Sequence, residues 1–154
     1  MVKSSLNDKH RKLLVHLYHS RYKLHLGSAD GCFYCGDVAE SIDHCPPLSW
    51  CDAKQIKWFE EKKIKFYLVR CCNQCNQKLS NKPFFTLEER AEFVKQYLQD
   101  KLAKFVVWDE EEIKEMSSMF KKMIKAKNQQ RKYLMFRLTC CTNYLLSNNH
   151  FPEP

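Results

Sequence analysis

The chain of 154 residues is long enough for one domain, and its apolar fraction of 44% can supply a hydrophobic core. The net charge of +8 makes nucleic acid the first partner to consider, because a basic surface concentrates polyanions. No apolar run approaches the ~20 residues needed to span a bilayer, and the polar N-terminal sequence lacks an apolar export signal. The composition therefore predicts a cytoplasmic protein without a membrane segment.

The first predicted element is a basic helix. Leucine and tyrosine side chains recur at helical spacing from 6 to 26, and Gly27 suits the end of the helix. The whole segment 1–27 carries six cations against one acid. Two interpretations stay open: an arm that contacts phosphate groups, or the solvated face of a packed helix. The candidate phosphate contacts are Lys9, Arg11 and Lys12.

The central part, residues 28–82, consists of short polar segments interrupted by glycine and proline. Its first half suits a hairpin that carries Cys32 and Cys35 near the turn. A short helix is expected within 49–65, with Asp52 as its N-cap. A β-prone run should precede the second cysteine pair, and a short helix should follow that pair.

Residues 83–154 predict about three helices packed on the central part. Thr86 and Glu89 have the spacing of a capping box at the start of a long helix. A second helix should start at Asp109, separate from a third over roughly 130–146. The last helix is apolar enough for deep burial, either inside the chain or at a homodimer interface. The predicted fold class is α+β and mainly helical, with a small zinc-bound ββα unit between these flanking helices.

Nine cysteines, in a chain with no export signal, favour metal ligation over a disulfide framework. Four of them form two Cys-x2-Cys pairs, Cys32 with Cys35 and Cys72 with Cys75. Two thiolates from each tight turn complete the tetrahedral ligand set that structural zinc prefers. Cys71 is the less suitable partner, because three residues would separate it from Cys75. The alternative is that these are ordinary buried cysteines or a redox pair.

An Asp43-His44 dipeptide stands between the pairs, and Asn76 directly follows the second. Carboxylate and amide oxygens are hard ligands, suited to Mg²⁺ or Mn²⁺. A histidine that binds no metal can take a proton from water, so the three residues suit metal-assisted phosphodiester hydrolysis. Alternatively, His44 joins three cysteines at the zinc. In a further interpretation, Asp43-His44 only caps the hairpin of a module that binds nucleic acid without cutting it.

Together these motifs resemble the zinc-containing, four-cysteine branch of the HNH (ββα-metal) endonuclease family. The matching segments are Cys32-x2-Cys35, Asp43-His44-x-Pro46 and Cys72-x2-Cys75-Asn76-x-Lys78. The match covers about residues 32–80, a third of the chain. The resemblance implies structural zinc on the four cysteines, Asp43 and Asn76 as ligands of a catalytic Mg²⁺ or Mn²⁺, and His44 as the general base. It also supplies DNA as the substrate, with RNA not excluded.

The resemblance places Lys78 near phosphate, and Arg70 is a further candidate contact. One position departs from the family pattern. Many members carry an asparagine a few residues before the second cysteine pair, where it orients the histidine, and here that place falls near Tyr67. Three hypotheses follow: an endonuclease, a non-catalytic zinc module that binds nucleic acid, and a protein-interaction module.

Overall fold

The computed structural model describes residues 8–25 and 31–148, which form a small sheet with helices on both faces. The helices are α1 Asp8–Tyr18, α2 Ala53–Glu61, α3 Asn73–Leu79, α4 Leu87–Leu102, α5 Glu110–Glu115 and α6 Ser118–Asn148. The strands are β1 Lys23–Leu24, β2 Ser41–Cys45 and β3 Tyr67–Cys71. The α+β, mainly helical class predicted from the sequence is confirmed. Within the described ranges, no helix combines the length and apolar character that crossing a bilayer requires.

The sheet has the order β1-β3-β2, with β3 in the centre. β1 runs parallel to β3, and β2 runs antiparallel to it. In the β2 register, Asp43 lies opposite Val69 and His44 lies opposite Leu68. Because successive side chains of a strand point to opposite faces, Asp43 and His44 look toward different sides of the sheet.

Each face of the sheet covers its own hydrophobic core. The first, here the cysteine-side core, joins the sheet to α3, α4 and α6 through Cys45, Val69, Leu79, Val94 and Leu134 among others. The second, here the N-terminal core, is built from Tyr22, Leu48, Cys51, Ile56 and Phe59, with Leu68 of β3 packed against it. The sheet therefore forms the middle layer of the protein.

The N-terminal helix is shorter than the sequence predicts. α1 ends at Tyr18, and a single 3-10 turn leads into β1. Tyr22 leaves the helical conformation (φ −82°, ψ 135°) because its side chain is buried, and its hydroxyl donates to the Pro46 carbonyl at 2.6 Å. The next amide, of Lys23, donates to the Phe66 carbonyl at 2.9 Å and starts the pairing with β3. The predicted helix end at Gly27 lies outside the described residues.

The predicted helix caps are confirmed. Asp52 accepts a hydrogen bond from the Gln55 amide at 2.8 Å, which caps α2. Thr86 and Glu89 form a reciprocal capping box at the start of α4. Asp109 makes the equivalent box at α5. These local signals are legible in the sequence because the partners are only three residues apart.

The C-terminal helices divide at a different place from the predicted one. α5 stops at Glu115, since Met116 is extended (ψ 155°), and α6 then runs unbroken for 31 residues. The expected boundary before Gln130 is therefore wrong. Neither glycine nor proline occurs between 118 and 148, so nothing in that stretch interrupts a helix.

The predicted hairpin around the first cysteine pair forms only in part. Gly31 and Val38 make one isolated antiparallel bridge across the turn. The strand that follows, β2, pairs instead with β3, whose residues lie 22 (Cys45 with Tyr67) to 30 (Ser41 with Cys71) positions further along the chain.

Candidate metal centre and the Asp43-His44 strand

Four buried cysteine thiols converge where the first turn meets the start of α3. In the turn, the amides of Cys35 and Gly36 both donate to the Cys32 carbonyl, at 3.2 and 2.8 Å. Cys72 is the N-cap of α3, and its Sγ accepts the Cys75 amide at 3.4 Å. Local backbone hydrogen bonds thus hold each cysteine pair, and the first turn of α3 faces the turn that carries Cys32 and Cys35.

The geometry fits one tetrahedral ion. All four Sγ atoms lie within 4.8 Å of one another, with Cys35 at 3.8 Å from Cys72 and 3.5 Å from Cys75. Four thiolates bound at about 2.3 Å from a common ion stand about 3.8 Å apart. The group could therefore hold a metal ion, and it is the predicted set. Cys71 is not a member, because its thiol lies on β3 at 3.5 Å from Ser41 Oγ.

Arg137 of α6 lies against this cluster, although no sequence motif indicated it. Its side chain is only 3% exposed, and Nε lies 3.2 Å from Cys35 Sγ. Nη2 lies 3.5 and 3.6 Å from the Sγ atoms of Cys72 and Cys75, while Nη1 donates to Gln74. Burial acts to lower the pKa of Arg137, but the neighbouring thiols raise it above its usual range. The guanidinium can thus offset the negative charge of four thiolates.

Gly36 allows α6 to approach the first cysteine turn. It has φ +72°, a conformation that residues with a Cβ adopt at a cost. A Cβ built on it would stand 2.7 Å from Cys140 Sγ. Both the turn and the packing of α6 therefore require glycine at this position.

Asp43 is held in a buried ion pair. Its carboxylate is 3% exposed and accepts from Arg90 Nε at 2.8 Å and Nη2 at 2.6 Å, and from the Tyr34 hydroxyl at 2.6 Å. Burial raises the pKa of Asp43, and Arg90 and Tyr34 oppose that effect. The role of Asp43 as ligand of a catalytic ion stays a prediction, and this ion pair argues against it. Both of its oxygens are engaged, and a divalent cation would lie beside a fully buried guanidinium.

His44 points to the other face of β2. Its ring packs edge-on against Tyr22, with centroids 5.0 Å apart, and lies 5.7 Å from the ring of His19. Its Nε2 exposes less than 1 Å² to solvent. The rings that pack against His44 come from the N-terminal segment, while Tyr67, at the place of the asparagine of many HNH members, contacts His25. The effect of the missing asparagine on His44 stays a prediction.

The other predicted residues are distributed over several surfaces. Asn76 is half-buried in the middle of α3. Lys78 is exposed, with its Nζ 5.2 Å from the centroid of the Tyr97 ring. Arg70 is exposed on β3, and Lys12 is exposed on α1. The side chains of Lys9 and Arg11 lie outside the part of the structure that is described.

Two buried arginines are the functional-site residues that the motifs missed. Arg90 falls on the apolar side of α4, one turn after Leu87, and Arg137 does the same after Leu134. Both arginines could have been identified from the sequence, because each is a charged residue on an otherwise apolar helix face.

Comparison with known proteins finds no family model, no curated protein and no solved structure that matches this chain.

Proposed function

We propose that the chain is a zinc-stabilised nucleic-acid-binding module, in which α6 supplies the basic surface and packs on a ββα unit. The observation that carries this proposal is the four-cysteine cluster, which joins the turn before β2 to the start of α3. Zinc is the ion of choice because the donor set is all sulfur and its spacing is tetrahedral. β2, β3 and α3 then form a ββα arrangement in which α3 packs against β2.

The charge distribution supports a polyanionic partner. α6 contains seven cations and no aspartate or glutamate; the cations are Lys121, Lys122, Lys125, Lys127, Arg131, Lys132 and Arg137. Most of the first half of this helix is exposed. Lysine and arginine that neutralise phosphates release counterions, and this release supplies affinity without reading sequence.

The test is binding of fluorescein-labelled duplex and single-stranded DNA by the zinc-loaded chain across a salt series. We expect affinity to fall steeply and linearly on a double-logarithmic plot as salt rises. Metal analysis of the same sample should give one zinc per chain. A chain that carries no zinc, or binds neither DNA at low salt, would contradict the proposal.

Metal-dependent DNA cleavage is the second candidate function. It is favoured by one observation: His44 and Asn76, two of the residues implied by the HNH resemblance, lie on β2 and α3, elements that pack together. The His44 ring, however, faces the side of the sheet opposite the core that α3 joins. In this function His44 takes a proton from the attacking water. The buried pair of Asp43 with Arg90 favours the non-catalytic function instead, since it leaves the ion without its expected carboxylate.

Plasmid nicking decides between the two functions. Zinc-loaded protein is incubated with supercoiled plasmid plus Mg²⁺, Mn²⁺ or Ni²⁺. Cleavage should be lost in His44→Ala and in Asn76→Ala, and retained in His19→Ala, which changes a neighbouring histidine. Asp43 variants are poor probes, because they break a buried ion pair whatever the chemistry. Equal nicking by His44→Ala, or none by the unaltered chain, would reject the endonuclease.

A further inference from the structure

A cavity lies beside the cysteine cluster, between the end of α4, the segment 105–108 and α6. Its volume is about 700 Å³, within the range of ligand-binding pockets. Gln74 of α3 and Arg137 of α6 form the wall it shares with the cysteine cluster. Lysine and aromatic side chains line much of the remaining wall: Lys101, Lys104, Trp108, Lys127 and Tyr133.

The charge that faces this cavity is positive. Lys101, Lys104 and Lys127 line it together with the buried Arg137, and no carboxylate is among the described lining residues. Acidic residues lie close to this lining: Asp37 is 3.9 Å from Arg137 and hydrogen-bonds with the Tyr133 hydroxyl, and Asp100 and Asp109 adjoin Lys101 and Trp108 in sequence. An anionic group that enters meets lysine amines on a described lining that contains no carboxylate.

Exposed aromatic rings accompany these cations. Trp108 is 38% exposed and Tyr133 is 46% exposed, and both line the cavity, so part of each ring is accessible to a ligand. The Arg137 guanidinium lies 5.7 Å from the Tyr133 ring centroid and covers one side of that ring. Rings beside lysines are the combination with which proteins hold single-stranded nucleic acid, because every base has a face that stacks.

We infer that this cavity binds a nucleotide unit of single-stranded nucleic acid, with its base against Trp108 and its phosphates near Lys104 and Lys127. The inference rests on the proposed nucleic-acid function and deepens it by naming the site and the strand form. It is independent of cleavage, since the cavity contains neither His44 nor Asn76.

The experiment measures fluorescence anisotropy of a short fluorescein-labelled single-stranded oligodeoxynucleotide with the zinc-loaded full chain. The matching duplex and poly-glutamate serve as competitors. His44→Ala is included because it should bind normally even though it cannot cleave. This variant separates failure of the endonuclease from failure of the pocket.

Paired variants supply the controls. Lys127→Gln, at the cavity, is compared with Lys57→Gln, which makes the same charge change at an exposed position of α2, away from both the lining and α6. Lys127→Gln should reduce the salt slope by about one phosphate contact, and Lys57→Gln should leave it unchanged. Trp108→Ala should weaken single-strand binding roughly 5- to 100-fold through lost stacking.

Several results would overturn the inference. These are equal effects of the two lysine variants, unchanged affinity in Trp108→Ala, competition by poly-glutamate as strong as by the oligodeoxynucleotide, and preference for duplex over single strand. Trp108→Phe keeps a ring and should retain most of the affinity, and loss there equal to the alanine variant would also overturn it. Circular dichroism on each variant confirms that the comparison is between folded proteins.

Discussion

Arg90 and Arg137 stand on helix faces where hydrophobic side chains would be expected, and each has a different anionic partner. Arg90 reaches a carboxylate on β2, and Arg137 reaches the thiols of the metal centre. Burying a guanidinium is costly unless its charge is matched and its hydrogen bonds are made. The two arginines therefore mark where α4 and α6 must dock.

Replacing Arg137 by leucine should weaken zinc binding roughly 10- to 100-fold, as loss of an outer-shell partner does in other metal sites. The reason is that four thiolates on one divalent ion leave net negative charge, which the guanidinium offsets. Competition with a chromophoric chelator measures the change. Arg131→Leu removes the same charge from the same helix and should bind zinc normally, and an equal loss there would mean that only overall charge matters.

Gly36→Ala should lower the free energy of unfolding by more than the about 1–2 kcal/mol that a left-handed conformation costs. The additional loss comes from the Cβ that would stand 2.7 Å from Cys140 Sγ. Urea denaturation of the single variant and of Gly36→Ala/Cys140→Ala separates the two terms. Removing the sulfur should recover only the steric part, and full recovery would show that the backbone conformation is not strained.

Side chains alternate between the two faces of β2, and this alternation decides which residues Asp43 and His44 can contact. Asp43 bonds to Arg90 on the cysteine side of the sheet, and His44 packs against Tyr22 on the other side, because adjacent residues on a strand face opposite ways. A dipeptide motif read from sequence does not reveal that separation. It becomes visible only when the register with β3 is known.

The Asp43–Arg90 pair should be a main link between β2 and α4. Arg90→Met should lower the free energy of unfolding by about 3–5 kcal/mol, because it leaves a buried carboxylate uncompensated. Arg90→Met/Asp43→Asn should recover part of that loss. The control is Lys95→Met, which breaks the exposed pair with Glu92 on the same helix and should cost less than about 1 kcal/mol. Similar losses for the two single variants would contradict this account of α4.

The four-cysteine cluster connects parts of the molecule that are distant in sequence. Its four cysteines come from the turn before β2 and from α3, and Arg137 adds α6. Removal of the ion should therefore loosen the packing of α6 as well as the ββα unit. The homodimer expected from the last helix stays a prediction; Met119, Phe120 and Met123 are exposed on α6 and are the side chains such a contact would cover.

Cys72→Ser should abolish stoichiometric zinc binding and reduce the cooperativity of thermal unfolding, whereas Cys71→Ser should keep one zinc per chain. The two cysteines are adjacent and both buried, so the pair controls for burial and for the loss of a thiol. Zinc content by elemental analysis and unfolding by circular dichroism are the measurements. Zinc loss in Cys71→Ser would reassign the ligand set.

The sequence alone determined the features whose partners lie within a few residues. Helix caps at Asp52, Thr86 and Asp109, the mainly helical α+β class and the two Cys-x2-Cys turns are of this kind, because their hydrogen bonds and spacing are local. The tertiary structure decided what depends on distant residues. It paired Asp43 with Arg90 across 47 positions and brought Arg137 to Cys35 across 102. Those contacts follow from how the helices pack, and packing joins residues whose separation no local pattern records.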